Sequence, residues 1–227
     1  MTYLSSAQSQ VNHHDKVILS FRVVDDPQRA TEVEMALPIS YNTSLSDLVL
    51  CAVCINHLLK DRSHVQIEEL FSFGMLAVAS GAGVFRFAGV EVIRPLHAFA
   101  SDYSSIASIL LFGISLSRTK SPVTKYFIHA FVAVVALFCP SLPTIFLDQI
   151  ATVTNLVGVS LILRACYYQY KRNTTAVKTI LLGLTSTIIG SLMGSSGSVW
   201  IIPRVDLLHY FVAFGMYNMG NGLTTLV

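Results

Sequence analysis

The sequence predicts an all-α polytopic membrane bundle of about seven transmembrane helices, preceded by a short N-terminal extramembrane segment. Three observations carry this expectation. Hydrophobic residues make up 53% of the 227, and charged residues only 12%, against about 25% charged in an ordinary soluble domain. Mean hydropathy is +0.61. From Asn42 onward, apolar runs near the ~20 residues that cross a bilayer recur between short polar breaks. The same figures exclude other classes. Disordered chains are charge-rich and apolar-poor. A net charge of +2 gives no phosphate-seeking field, so no nucleic-acid partner is expected. Four cysteines are too few for a disulfide scaffold.

Residues 1–43 form the extramembrane segment, in which Asp15, Asp25, Asp26, Glu32 and Glu34 outnumber Lys16, Arg22 and Arg29. Residues 1–14 contain no apolar signal-peptide core. Two short runs, 16–24 and 31–39, flank Asp25-Asp26-Pro27-Gln28 and read as a β-hairpin. A lone hairpin is marginal in water and would dock on the helices or a partner. The transmembrane domain then fills 44–227, with helices expected over 44–59, 68–87, 96–117, 123–139, 144–168, 175–194 and 206–226. The first can extend back to Ile39. The fourth is the shortest, closed by Pro140 and Pro143.

Basic residues orient the bundle, because cytoplasmic loops collect Lys and Arg. The connections after the first, third and fifth helices carry Lys60, Arg62, Arg118, Lys120, Lys125, Lys171, Arg172 and Lys178. Those after the second, fourth and sixth carry Arg86, Arg94 and Arg204. The expected topology places the acidic segment outside or in a lumen and the C-terminus in the cytoplasm.

Ionisable residues within apolar spans are costly and need a reason. The odd-numbered helices all enter from the outer side, which gathers Asp47, His97, Asp102, Asp148, Asp206 and His209 at that end. Carboxylates and imidazoles at one depth suit a divalent metal, with an Asp or a metal-bound water as base. Helix capping competes with that reading, since acidic residues in a first turn meet unpaired N–H groups and the dipole. Asp47, Asp148 and Asp206 read as caps. Asp102 lies six residues past Leu96, about 9 Å deeper at 1.5 Å per residue, beyond the reach of capping. Asp206 and His209, spaced i,i+3, share a helix face. The candidate catalytic residues are therefore Asp102 and Asp206, and the candidate metal ligands His97 and His209. His57 and His129 read as interfacial or core histidines, and Cys51 and Cys54 as core residues.

The sixth helix carries Ser186, Gly190, Gly194 and Ser198 at four-residue intervals, which lets helix backbones approach closely. The partner is another helix of the bundle, or a second chain in a homo- or hetero-oligomer through Gly190 and Gly194.

Asp206-Leu207-Leu208-His209, opening the last helix, and Ser44-Leu45-Ser46-Asp47-Leu48, opening the first, resemble a family of multipass transmembrane proteins. A more distant similarity links the helix layout to the alkaline ceramidase and adiponectin-receptor superfamily of seven-helix hydrolases. That resemblance implies zinc held by histidines from an early helix and an H-x-x-x-H in the last, beside Ser and Asp. His209 matches one last-helix position. The residue four later is Ala213, and the second helix reads Gly83-Val84-Phe85-Arg86 where a His is expected.

The sequence contains no Walker loop, G-x-S-x-G or H-E-x-x-H. The expected function is that of a scaffold, partner subunit or lipid-binding protein with membrane lipids as partners and no cofactor. Two alternatives stand beside it. One is a metal-dependent lipid-amide or ester hydrolase, which would require zinc. The other is a small-solute transporter with Asp102 in its pathway.

Overall fold

The computed structural model describes residues 40–60, 66–117, 122–138 and 141–226. The hairpin expected within residues 16–39 lies outside the described residues. Seven α-helices occur among them: α1 (Tyr41–Leu59), α2 (Ile67–Phe87), α3 (Arg94–Ser117), α4 (Pro122–Phe138), α5 (Thr144–Gln169), α6 (Thr174–Met193) and α7 (Arg204–Leu226). A 3₁₀ turn, Glu91–Ile93, leads into α3, and strands β1 (Ser198–Val199) and β2 (Ile202–Pro203) form a minimal antiparallel hairpin between α6 and α7. Five helices are long and apolar enough to cross a membrane: α1, α2, α3 with its 3₁₀ turn, α5 and α6. The 17-residue α4 is shorter. In α7, glycines and asparagines interrupt the apolar run.

Local chemistry explains the helix ends. Prolines stand at or just before the first turns of α3, α4, α5 and α7, where a missing N–H costs nothing. Asn173 caps α6, its Oδ1 accepting from Ala176 N at 3.0 Å, and its Nδ2 donates to Thr225 O of α7 at 3.0 Å. At the end of α2, Gly89 takes φ +97. Gly89 N donates to Arg86 O and Val90 N to Phe85 O, the paired bonds of a Schellman cap. This turn folds the chain straight back into α3.

The odd-numbered helices α1, α3, α5 and α7 run parallel. Ser46 of α1 meets Asp206 of α7 near their N-termini, and Lys60 meets Asn221 near their C-termini. Asn155 of α5 donates to Ser105 O of α3. The end bearing these N-termini is called the near end here, and the opposite one the far end. Around the bundle the neighbours follow the order α6, α7, α1, α2, α3, α5, while α5 and α6 meet only sparsely. Helix α3 is the central post: every residue from Tyr103 to Leu116 is buried. Close packing rests on glycine. A Cβ on Gly158 would stand 2.7 Å from Ile109 O, and one on Gly190 would stand 2.8 Å from Phe211 Cβ. Gly190 and Ser186 of the expected stripe thus pack on α7 of the same chain, where Ser186 Oγ also donates to Phe211 O, whereas Gly194 ends α6 and Ser198 lies in β1.

Candidate functional site

Four helices bring polar side chains together at the near end. Helix α1 begins at Tyr41, three residues before the expected start, so Asp47 falls in its second turn, and its first turn holds no acidic residue. The capping role expected for Asp47 is therefore corrected: the carboxylate is carried into the bundle, 2% exposed. There its Oδ1 lies 3.2 Å from His209 Nδ1 on α7. Ser46 Oγ lies 3.1 Å from the same nitrogen and 3.4 Å from Asp206 Oδ1. Asp206 does occupy the first turn of α7, as expected, and it also joins this cluster. Among the described residues, Asp47 Oδ2 and Asp206 Oδ2 are buried without a hydrogen-bond partner.

A second pair abuts the first. The Schellman turn after α2 leaves Arg86 buried and facing α3, with Nη1 2.8 Å from His97 Nδ1. His97 Nε2 lies 3.5 Å from Ser101 Oγ, and its ring stands edge-on to Phe87. Gly83 is what lets α1, α2 and α3 meet here. A Cβ at this position would collide with the Asp47 carboxylate and come within 3.1 Å of His97 Cδ2.

Below these groups lies a cavity of about 60 Å³. Asp47, His97 and His209 line its upper part, and Ser101, Ser104 and Ser108 line the α3 side. Such a space holds a few waters and falls far short of the ~300–1,000 Å³ typical of small-molecule pockets. Cys54, Phe73, Phe112 and Met219, each fully buried, close the bundle beneath it. Past that apolar layer, at the far end, His57 stacks on Phe73 at 3.8 Å and meets Glu69 Oε1 at 2.8 Å. His129 lies 3.4 Å from Glu68. These far-end contacts join helices: His57 is a buried core histidine, as expected, and His129 is partly exposed.

Of the residues expected from the sequence, the structure thus brings together His97, Asp206 and His209. Asp102 does not line the cavity. It is half-buried on α3, one residue past the cavity-lining Ser101, and its carbonyl accepts from Ser105 Oγ at 2.7 Å. Asp148 is also half-buried, on α5. Sequence reasoning missed the part played by Asp47 and Arg86. For Asp47 the available signal was the permitted extension of the first helix toward Ile39.

The arrangement does not match two catalytic templates. In a Ser-His-Asp triad, Ser and Asp contact opposite imidazole nitrogens, whereas Ser46 and Asp47 both approach Nδ1 of His209. Among the described residues, no three His, Cys, Asp or Glu side chains gather as a metal-binding group. The zinc set implied by the hydrolase resemblance does not fit: His97 faces a guanidinium, and α2 offers no histidine.

Among the described residues, fold and composition give a helical bundle with five helices long and apolar enough to cross a membrane. Comparison with protein-family models, curated proteins and solved structures gave no match.

Proposed function

We propose that the chain is a seven-span integral membrane protein that works by binding rather than by covalent chemistry, as a lipid-binding or partner-binding element. In this reading α4 and α7 cross the bilayer with the five more apolar helices. The N-terminal segment lies outside or in a lumen, and the C-terminus lies in the cytoplasm. The distribution of basic residues supports that orientation. Epitope tags at the two termini should report opposite sides of the membrane.

One observation carries the functional reading: the near-end groups answer one another across helices. His209 Nδ1 takes both Ser46 and Asp47, which fastens the last helix to the first, while Arg86 and His97 fasten α2 to α3. This is a polar clasp. Hydrogen bonds between helices give a membrane bundle a unique register where apolar packing alone is permissive. The apolar layer of Phe73 and Phe112 beneath the cavity weighs against solute passage.

Metal analysis of the purified protein, paired with an Asp206→Ala/His209→Ala variant, tests this reading. The clasp predicts no stoichiometric metal in either protein and a lower unfolding midpoint in the variant. Zinc at one equivalent, lost in the variant, overturns it. That result favours the lipid-amide or ester hydrolase, to which the two unmatched carboxylate oxygens of Asp47 and Asp206 would contribute.

A further inference from the structure

The bundle is left incomplete between α5 and α6, and the gap has chemistry of its own. Helices α1 and α2, α2 and α3, and α6 and α7 pack extensively, but α5 and α6 meet only sparsely, and beside the turn that joins them at the far end lies a cleft of about 520 Å³. Its walls are apolar: Leu163 and Cys166 from α5, Val177 and Leu181 from α6. Its mouth carries Tyr167, Tyr168, Tyr170 and Lys171. The three tyrosines are exposed, as amphipathic rings are at the boundary between hydrocarbon and headgroups.

The charge around this mouth has one sign. Residues 149–205 contain Arg164, Lys171, Arg172, Lys178 and Arg204, with no Asp or Glu. Lys171, Arg172 and Lys178 are exposed and sit on either side of the turn that joins the two helices. That turn is held by Arg172 N and Asn173 N donating to Gln169 O and by the bond from Asn173 to Thr225 O. Lys171 thus lines the groove itself, and Arg172 and Lys178 lie within seven residues of it on the same turn and the first turns of α6. A cluster of Lys and Arg at the mouth of a gap between membrane helices is the arrangement that recognises anionic headgroups.

We propose that this cleft binds one anionic phospholipid, with its phosphate at Lys171 and the neighbouring Arg172 and Lys178 and an acyl chain against Leu163 and Leu181. This rests on α5 and α6 lying in a bilayer, with the far end at the cytoplasmic leaflet. It is independent of the near-end clasp.

The test is native mass spectrometry of the full-length protein in detergent, titrated with dioleoyl phosphatidylglycerol or with dioleoyl phosphatidylcholine. Each basic side chain contributes about fivefold to anionic-lipid affinity. The Lys171→Gln/Arg172→Gln/Lys178→Gln variant should therefore lose roughly a hundredfold of the preference for phosphatidylglycerol. These exposed positions leave the fold intact, so unfolding without added lipid should match wild type. Leu181→Trp, which fills the groove, should weaken binding of phosphatidylglycerol while the charges stay in place. Equal binding of the two lipids, an unchanged preference in the triple variant, or full affinity in Leu181→Trp overturns the proposal. Effective competition by millimolar inorganic phosphate also overturns it, because the groove would then contribute nothing. The clasp is probed by near-end variants, so the two readings fail separately.

Discussion

Gly83→Ala isolates the packing of the near-end site in one atom. The added Cβ would stand 2.7 Å from Asp47 Cγ and 3.1 Å from His97 Cδ2, so the carboxylate must swing away from His209. Overpacking of this kind costs about 1–3 kcal/mol. Loss of the Asp47–His209 contact adds about 0.5–1.5 kcal/mol. Against these, Ala for Gly within a helix returns about 1 kcal/mol. The net expectation is a destabilisation of about 0.5–3.5 kcal/mol, with ~2 kcal/mol as the central figure. Gly74 supplies an internal control on the same helix, because a Cβ there meets nothing within 4 Å. Gly74→Ala should be neutral or stabilising by up to about 1 kcal/mol. Denaturant unfolding of both variants in one detergent gives the comparison. A double-mutant cycle sharpens it, since Asp47→Ala removes the atoms that collide and should sharply reduce the cost of Gly83→Ala. If Gly83→Ala proves as stable as Gly74→Ala, the near-end geometry is wrong.

Three further outcomes follow from the same contacts. His57→Ala removes the ring stacked on Phe73 and a partner of the buried Glu69 carboxylate. It should cost about 3–5 kcal/mol in the same unfolding assay, with Glu69→Gln costing less. Gly158→Ala would press a methyl group onto backbone atoms of Ile109 and Leu110 that cannot rotate away. Helices α3 and α5 must then separate, so its loss of stability should reach or exceed the top of the ~1–3 kcal/mol overpacking range. Asn173→Ala removes a helix cap worth about 1 kcal/mol together with the link to Thr225. Asn173→Asp keeps the cap acceptor and loses only the link, so the two unfolding midpoints divide the contributions.

Depth along a helix is legible in a sequence, and azimuth is not. Seven helices begin and end within about three residues of the hydropathy expectation, because turn chemistry and apolar run length are local properties. Asp102 illustrates the limit. Its depth was read from its distance to Leu96, but adjacent residues of a helix point about 100° apart, and Ser101 rather than Asp102 faces the cavity. Arg86 was read as a loop cation. Only the Schellman turn, which places the chain reversal after Gly89, leaves its guanidinium beside His97. The pairing of His57 with Glu69 is equally invisible from spacing, since it depends on how α1 and α2 cross.

The clasp also imposes an order of events. Ser46 and His209 are separated by 163 positions, so at about 5–20 residues per second the ribosome needs about 8–30 s to supply the histidine. Through that interval α1 has been synthesised while its Asp47 has no imidazole to meet. A polar residue in that state favours a helix that stays near the lipid headgroups or in the care of the insertion machinery. The final seating of α1 is then an act of the last helix, and a chain truncated before α7 would lack the contact that closes it.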